Sequence, residues 1–412
     1  MLKKIKYINN NKQQGMLYDW TKVIKMYRSL KCPEGFFDPT GLPLNRAKYN
    51  IVYSARGGGK TINVQLFGMC LNALYGAKSV YVRSRALQIA PKNVSNMMNV
   101  IKEYGYISKI TEGTWNSCIL DKRHWYYCNV DDNGQIVERS ADWFMFMANI
   151  EEAGNLKSGW NEPKADFIIF DEFIPVDFNY LDDEFPRFCD LLSTICRQRL
   201  SPVVIMLSNN TDKESLYFHE FEISDEVKKM KLGDSFEFDV VNKTDPDRKT
   251  PCFIQWFNPD ISELQKTVRS KVNALFFAFN NPRLGAITND DWQIKPHQHF
   301  PPRDSENGEK KVEELINNIF VFHHNHYIRL LVVLHPTLGI CCYVHNFNPK
   351  YLRENSIILT LEDRYDNRYQ YKLGQGNLRR FLQYLSVENR IYYATNDVAS
   401  FFMSYLAECN FR

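Results

Sequence analysis

No apolar run in this 412-residue chain reaches the roughly 18 residues that a membrane helix needs. The N-terminal stretch MLKKIKYINNNKQQ lacks the apolar core of a secretory signal. Strong charge of one sign is missing as well. The chain has 51 Lys and Arg against 48 Asp and Glu, a net charge of +3. No overall basic field therefore announces a nucleic-acid partner, and any such contact must come from local placement of Lys and Arg. The ten cysteines include no CxxC. Their one close pair, Cys341-Cys342, is adjacent, which suits neither a zinc knuckle nor a redox motif. No internal repeat is visible. These absences lead us to expect a soluble intracellular protein with reduced cysteines and no membrane contact. The 14% aromatic and 24% charged residues fit a folded globular chain, long enough for two or three domains.

Helical spacing marks residues 17–30, after which CPEGFFDPTGLPL reads as a loop. A short apolar run, Asn50–Tyr53, precedes SARGGGK; helical spacing then continues to Leu74, with Gly76 as the stop. SVYVRSR reads as a second strand and Val94 to Tyr104 as a helix. Asp132-Asn133-Gly134 is a turn between two alternating, hence antiparallel, strands. ADFIIFDEF and SPVVIMLSNN are apolar strands with polar tips, separated by a helical DEFPRFCDLLSTICRQR. Strands apolar on both faces, alternating with helices, predict an α/β domain built on a mainly parallel sheet. Residues 216–309 are expected to be a linker or lid region, with a helix over 261–279 and a linker over 300–311. Beyond them, YIRLLVVLHPTLGICCYVHNF reads as two strands round a Pro/Gly turn, ENSIILTLED as another strand, and GNLRRFLQYLS and SFFMSYLAEC as helices.

The chemistry centres on Ser54–Thr61. The phosphate-loop pattern G-x-x-x-x-G-K-[ST] is met at Gly59-Lys60-Thr61, with Ser54 in place of the first glycine. Gly57, Gly58 and Gly59 give the backbone freedom to curl N–H groups round a phosphate. Lys60 supplies the charge and Thr61 a hydroxyl for Mg²⁺. A strand before the loop and a helix after it put the phosphate at the helix N-terminus. About 110 residues later the strand ADFIIFDEF ends in Asp171-Glu172. In P-loop enzymes such a pair holds the metal (Asp171) and polarises the attacking water (Glu172). The third strand ends in Ser208-Asn209-Asn210, where a polar sensor of the terminal phosphate belongs. No guanine-reading NKxD follows it. The site is thus expected to bind ATP with Mg²⁺ on an additional-strand P-loop fold.

SARGGGKT with Arg56 inside the loop, VYVRSR, NLKSGWNEPKADFIIFDE and MLSNN together resemble the large terminase superfamily of phage DNA-packaging motors, especially the φ29-like packaging ATPases. The resemblance covers roughly residues 45–215. It implies a homo-oligomeric ring, expected to be a pentamer, that docks on the portal of an empty capsid and drives double-stranded DNA inward. A packaging RNA is a further possible partner. The setting would be the host cytoplasm, at the prohead. By this resemblance Lys60 and Thr61 match the Walker A contacts, Asp171 and Glu172 the Walker B pair, and Asn209 or Asn210 the coupling motif. A cation supplied by a neighbouring subunit would be Arg199, with Arg197 and Lys157 as runners-up; the alternative for both arginines is simple capping of a helix C-terminus. Arg83, Arg85 and Lys92 would touch the DNA backbone, or else belong to a solvated loop.

Residues 310–412 are read as a smaller α/β domain resembling the RNase H-like nuclease of larger terminases, but without catalysis. The position where that nuclease carries its first Asp is taken by His335 in LLVVLHPTLG, while Glu362, Asp363 and Asp397 remain as scattered acids. Arg364, Arg368, Lys372, Arg379 and Arg380, interleaved with Tyr365, Tyr369 and Tyr371, form either a nucleic-acid face or a solvated one. The alternatives are a terminase with active nuclease, a DNA helicase or other DNA-remodelling ATPase, and a signalling or assembly P-loop protein that never touches DNA, although no helicase motif series follows Ser208.

Overall fold

The computed structural model describes residues 18–54, 57–156, 160, 162, 164–175, 180–197, 199–209, 213–242, 245, 247–259, 312–323, 326–336, 338–352, 356–360, 370–371 and 377–409. The first sheet is built from β1 (Tyr49–Tyr53), β2 (Lys78–Arg83), β3 (Ser117–Asp121), β4 (His124–Val130), β5 (Ile136–Asn149), β6 (Ala165–Asp171), β7 (Val203–Ser208), β8 (Ser235–Val241) and β9 (Lys249–Trp256). Their order is β3-β4-β5-β2-β6-β7-β1-β9-β8. β2, β6, β7, β1 and β9 pair in parallel along the centre of the sheet, and β8 is antiparallel to β9 at its edge. β7 therefore stands between the strand feeding the phosphate loop and the strand ending in Asp171, which is the additional strand expected from sequence.

Helices cover both faces. They are α1 (Trp20–Ser29), α2 (Lys60–Tyr75), α3 (Pro91–Val94), α4 (Asn99–Glu103), α5 (Tyr106–Ile110), α6 (Ala153–Leu156), α7 (Glu184–Cys196), α8 (Leu216–Glu220) and α9 (Ser224–Lys229). Successive strand residues point to opposite faces. Accordingly Val52, Phe167, Ile169 and Ile205 pack with Phe67 and Leu71 of α2. Ile51, Ile168, Phe170 and Met206 pack with Phe188, Leu191 and Ile195 of α7. Two apolar layers explain why β6 and β7 are continuously apolar instead of alternating. Among the described residues no helix is long and apolar enough to cross a membrane.

Asp131 anchors the expected hairpin: its backbone O accepts from Gly134 N at 2.9 Å and its Oδ1 from Asn133 N at 2.9 Å. The second arm, β5, is long enough to leave β4 and run parallel to β2 from Met145 to Asn149. The single helix expected over 94–104 is instead broken into α3, α4 and α5, with Gly105 in a left-handed turn at φ +63°. The break expected at residue 215 does not coincide with an edge of the sheet, because β9 pairs in parallel with β1, Tyr49 opposite Cys252 through Tyr53 opposite Trp256. The expected helix over 261–279 and linker over 300–311 lie outside the described residues.

A second sheet has the order β14-β13-β10-β11-β12-β15. Its strands are β10 (Glu313–His323), β11 (His326–His335), β12 (Gly339–Asn346), β13 (Ile357–Leu359), β14 (Gln370–Tyr371) and β15 (Ile391–Tyr393), followed in the chain or interleaved by α10 (Asn377–Val387) and α11 (Asn396–Glu408). Leu382, Leu385, Phe402 and Tyr405 close the core over Leu330, Cys342 and Leu359. One expectation is corrected here. LLVVLH belongs to β11, the second strand; β10 comes first, and its opening half, EELINN, is mostly exposed, with only Leu315 and Ile316 apolar. His335 closes the β11–β12 hairpin, its Nδ1 accepting from Leu338 N at 3.2 Å.

Candidate nucleotide-binding site

The C-terminal edge of the parallel strands gathers the candidate residues. β1 delivers the chain to Ser54, whose N–H bonds Ser208 O at 3.2 Å and ties the loop to β7. Gly57 and Gly59 take φ values of +92° and +70°, which side chains with a Cβ rarely adopt, and Gly59 caps α2. Lys60 follows immediately and is 3% exposed. Its ammonium donates to Ser54 Oγ at 2.6 Å and to Asn209 Oδ1 at 3.1 Å. Ser54 thus does more than replace a glycine: it holds the lysine. Burial lowers the Lys60 pKa to about 8, against the opposing pull of Asp171 and Glu172.

In the first turn of α2, Thr61 Oγ1 donates to Asp171 Oδ2 at 3.1 Å. The same carboxylate accepts from Tyr81 OH at 2.7 Å, and its Oδ1 from Glu172 N at 3.1 Å. Arg83 spans the pair, with Nη1 3.4 Å from Asp171 and Nη2 2.5 Å from Glu172. Asp171 is 6% exposed and Glu172 40%, so one acid is fixed inside the fold and the other faces outward. Glu172 holds φ +57°, a strained turn for a residue with a side chain. Phe173 N then rejoins β7 through Leu207 O at 3.2 Å.

Arg83 corrects the sequence-based expectation. Expected at the DNA backbone, its guanidinium is 15% exposed and pairs with the two carboxylates. The cause is topological: β2 is the immediate neighbour of β6, so its last residue points at Asp171. Tyr81, missed from sequence, shares that face with Arg83 because residues two apart in a strand point the same way. Arg85 is half-buried and Lys92 is exposed on α3.

Arg199 is also corrected. It sits at the opposite end of β6, with Nη1 2.6 Å from Asp166, which is 2% exposed. Its remaining donors reach Cys196 O, Ala165 O and Ile195 O. Tyr18 OH closes the same knot on Asp166 at 2.5 Å. The guanidinium is thereby tied to its own chain. Arg197, at φ +46°, donates to Trp160 O within the chain. Arg56, Lys157 and Asn210 lie outside the described residues, as do Glu362, Asp363, Arg364, Tyr365, Arg368, Lys372 and the side chains of Arg379, Tyr369 and Tyr371.

A buried acid that sequence reading passed over stands behind the site. Glu184, 1% exposed, accepts from Ser84 Oγ at 3.0 Å, Tyr217 OH at 3.0 Å and Leu181 N at 2.8 Å. Burial pushes its carboxyl pKa up, and these hydrogen bonds hold it back.

A glycine loop, a buried lysine, a hydroxyl beside a carboxylate and a second, outward carboxylate on an additional-strand sheet define a P-loop α/β protein of the additional-strand class. Solved structures with matching chains include the bacteriophage Phi-29 viral genome packaging motor assembly, at TM-score 0.52 and 18% identity over 91% of this chain and 99% of that one. The Phi-28 gp11 DNA packaging motor matches over 91% of this chain and 98% of that one, with 17% identity and TM-score 0.47. The N-terminal domain of the DNA packaging ATPase from bacteriophage phi29 covers 55% of this chain and 96% of its own length, at 23% identity and TM-score 0.39. No protein-family model and no curated protein matches the chain. The Phi-29 assembly and this chain share a fold.

Proposed function

We propose that the chain is an ATPase that drives double-stranded viral DNA into a preformed capsid as one subunit of a ring. The observation that carries the reading is the joint placement of Lys60, Asn209, Thr61, Asp171 and Glu172 at one sheet edge. Lys60 neutralises the terminal phosphates, and Asn209, already on the Lys60 ammonium, senses them. Thr61 Oγ1 and Asp171 Oδ2, 3.1 Å apart, are adjacent hard oxygen donors and fit Mg²⁺. Bound there, the ion would offset phosphate charge. Glu172 orients the attacking water and takes its proton, for which it must leave Arg83. The fold shared with a chain of the Phi-29 packaging assembly supports the motor reading.

The ring, expected to be a pentamer, the capsid portal, the packaging RNA and the host-cytoplasm setting belong to the same proposal. With Arg199 and Arg197 bound within the chain, Lys157 is the cation we assign to the neighbour's phosphates. Arg85 and Lys92 stay as the contacts to DNA backbone. The second domain is read as RNase H-like because β10, β11 and β12 form a meander and β13 and β14 run parallel to β10 on its other side. Its first strand is β10, whose closing half, Ile319–His323, carries no carboxylate, so the reading without nuclease activity now rests there and not on His335. Purified proheads, DNA and ATP test the proposal. DNA protected from nuclease inside capsids is the expected result; hydrolysis stimulated by DNA alone, with no protection, would make it a helicase-like enzyme.

A further inference from the structure

Strand order decides which way a nucleotide must lie in this site, given the nucleotide-binding reading on which this inference rests. Lys60 and Thr61 meet Asn209 and Asp171 on the side of β7 and β6. The terminal phosphate belongs on that side. β9 flanks β1 on the other, so the nucleoside end leaves the loop toward β9. Phe257 stands there, one residue past β9, its N–H bonded to Tyr53 O at 2.9 Å.

Two aromatic rings lie directly against the glycines. A Cβ added to Gly58 would meet Phe257 Cε1 at 3.0 Å, and one added to Gly59 would meet Phe36 Cδ1 at 2.6 Å. Phe37 locks the arrangement: its N–H bonds Gly58 O at 2.8 Å, and its ring meets that of Phe257 edge-on at 5.3 Å. Phe37 is buried, whereas Phe36 and Phe257 are only partly so. Phe257 packs one side against the core, and both it and Phe36 keep part of the ring exposed beside the phosphate loop.

We propose that Phe36 and Phe257 are the nucleoside-binding face of the site and hold the base by stacking, so that the enzyme accepts purine nucleoside triphosphates with little discrimination. Stacking is tolerant because every base has a π-face. Strong discrimination needs a polar group that reads the base edge, and a phenylalanine side chain has none.

The test measures hydrolysis of ATP and GTP by the full chain, with inorganic tripolyphosphate as a competitor that has no base. We expect GTP to be used within about 10-fold of ATP in kcat/KM. Phe257→Ala should raise KM for both nucleotides roughly 5- to 100-fold, the range of one lost base–aromatic stack. Its kcat and its inhibition by tripolyphosphate should be unchanged, and Phe257→Tyr should restore KM. Phe257→Leu keeps packing against Phe37 without an aromatic face and serves if the alanine variant melts early. Unchanged KM in both Phe36→Ala and Phe257→Leu, or rejection of GTP by more than about 100-fold in the parent chain, overturns the inference while leaving the phosphate loop intact. A parent chain that hydrolyses neither nucleotide and ignores tripolyphosphate overturns the nucleotide-binding reading itself.

Discussion

Arg83 offers the sharpest quantitative check on the site. Replacing it with Met keeps most of the stem and removes the charge that spans Asp171 and Glu172. Losing one partner of a fully buried ion pair costs about 3–5 kcal/mol. Here the cost is smaller for two reasons. Asp171 keeps Thr61, Tyr81 and the Glu172 N–H. Glu172 is 40% exposed, so solvent screens its share. About 2 kcal/mol remains, close to the value of one or two charged hydrogen bonds. In a domain of this size that lowers the melting temperature by about 4–8 °C. A divalent ion bound by Thr61 and Asp171 supplies the missing positive charge, so saturating Mg²⁺ with a non-hydrolysable ATP analogue should recover much of the loss. The assay is differential scanning fluorimetry of parent and Arg83→Met, with and without those additions. An Arg83→Met chain that melts like the parent, or whose deficit persists in full with Mg²⁺ and nucleotide, would refute the assignment of Arg83 as the carboxylates' counter-ion.

Lys60→Ala should abolish nucleotide binding, while Glu172→Gln should bind ATP and fail to turn it over; fluorescent-nucleotide titration beside a phosphate-release assay separates the two, and parental turnover by Glu172→Gln would remove Glu172 from its role. Lys60, with a folded-state pKa of about 8 against the ordinary 10.5, binds fewer protons folded than unfolded between those values. Its penalty on stability is therefore present in full below about pH 8 and is relieved as pH rises toward 10.5. Nucleotide affinity should move the opposite way, weakening from pH 7 to 9 as the free enzyme's ammonium loses its proton. Arg199→Ala leaves Asp166 buried without its guanidinium and should cost about 2–3 kcal/mol in thermal or urea melts while the folded protein keeps its ATPase; ATPase lost in the folded variant and recovered on mixing with Glu172→Gln subunits would return Arg199 to the subunit interface. Supercoiled plasmid incubated with the full chain and Mg²⁺ or Mn²⁺ should stay intact, and metal-dependent nicking would show an active nuclease.

Much of the site was legible in sequence because it depends on short-range patterns. Gly59-Lys60-Thr61 declares its own helix start, and an apolar strand ending in Asp171-Glu172 declares a buried acid at a sheet edge. The additional strand could be anticipated from the alternation of elements. What could not be read was which strand ends are neighbours. Arg83 looked like a free cation at a strand tip until β2 was seen beside β6. Arg199 looked like a cation at a helix end until Asp166, 33 residues earlier, was found beneath it. β9 was hidden for a related reason: its partner β1 lies some 200 residues away, and KTPCFIQW has no strong alternation to announce an inner strand. β10 shows the same weakness, since half of its residues face water.

The neighbour relations also explain why the site acts as a unit. Ser84 follows Arg83 at the end of β2, Leu181 lies in the segment after Glu172, and Tyr217 begins the helix after the Asn209 strand. All three converge on Glu184. A buried carboxyl with three donors is strongly attached to each, because a donor withdrawn would leave a charge without compensation. Movement of Glu172 away from Arg83 is therefore a side-chain movement, because Asp171, paired with Leu207, and Phe173, bonded to Leu207 O, hold the backbone on either side.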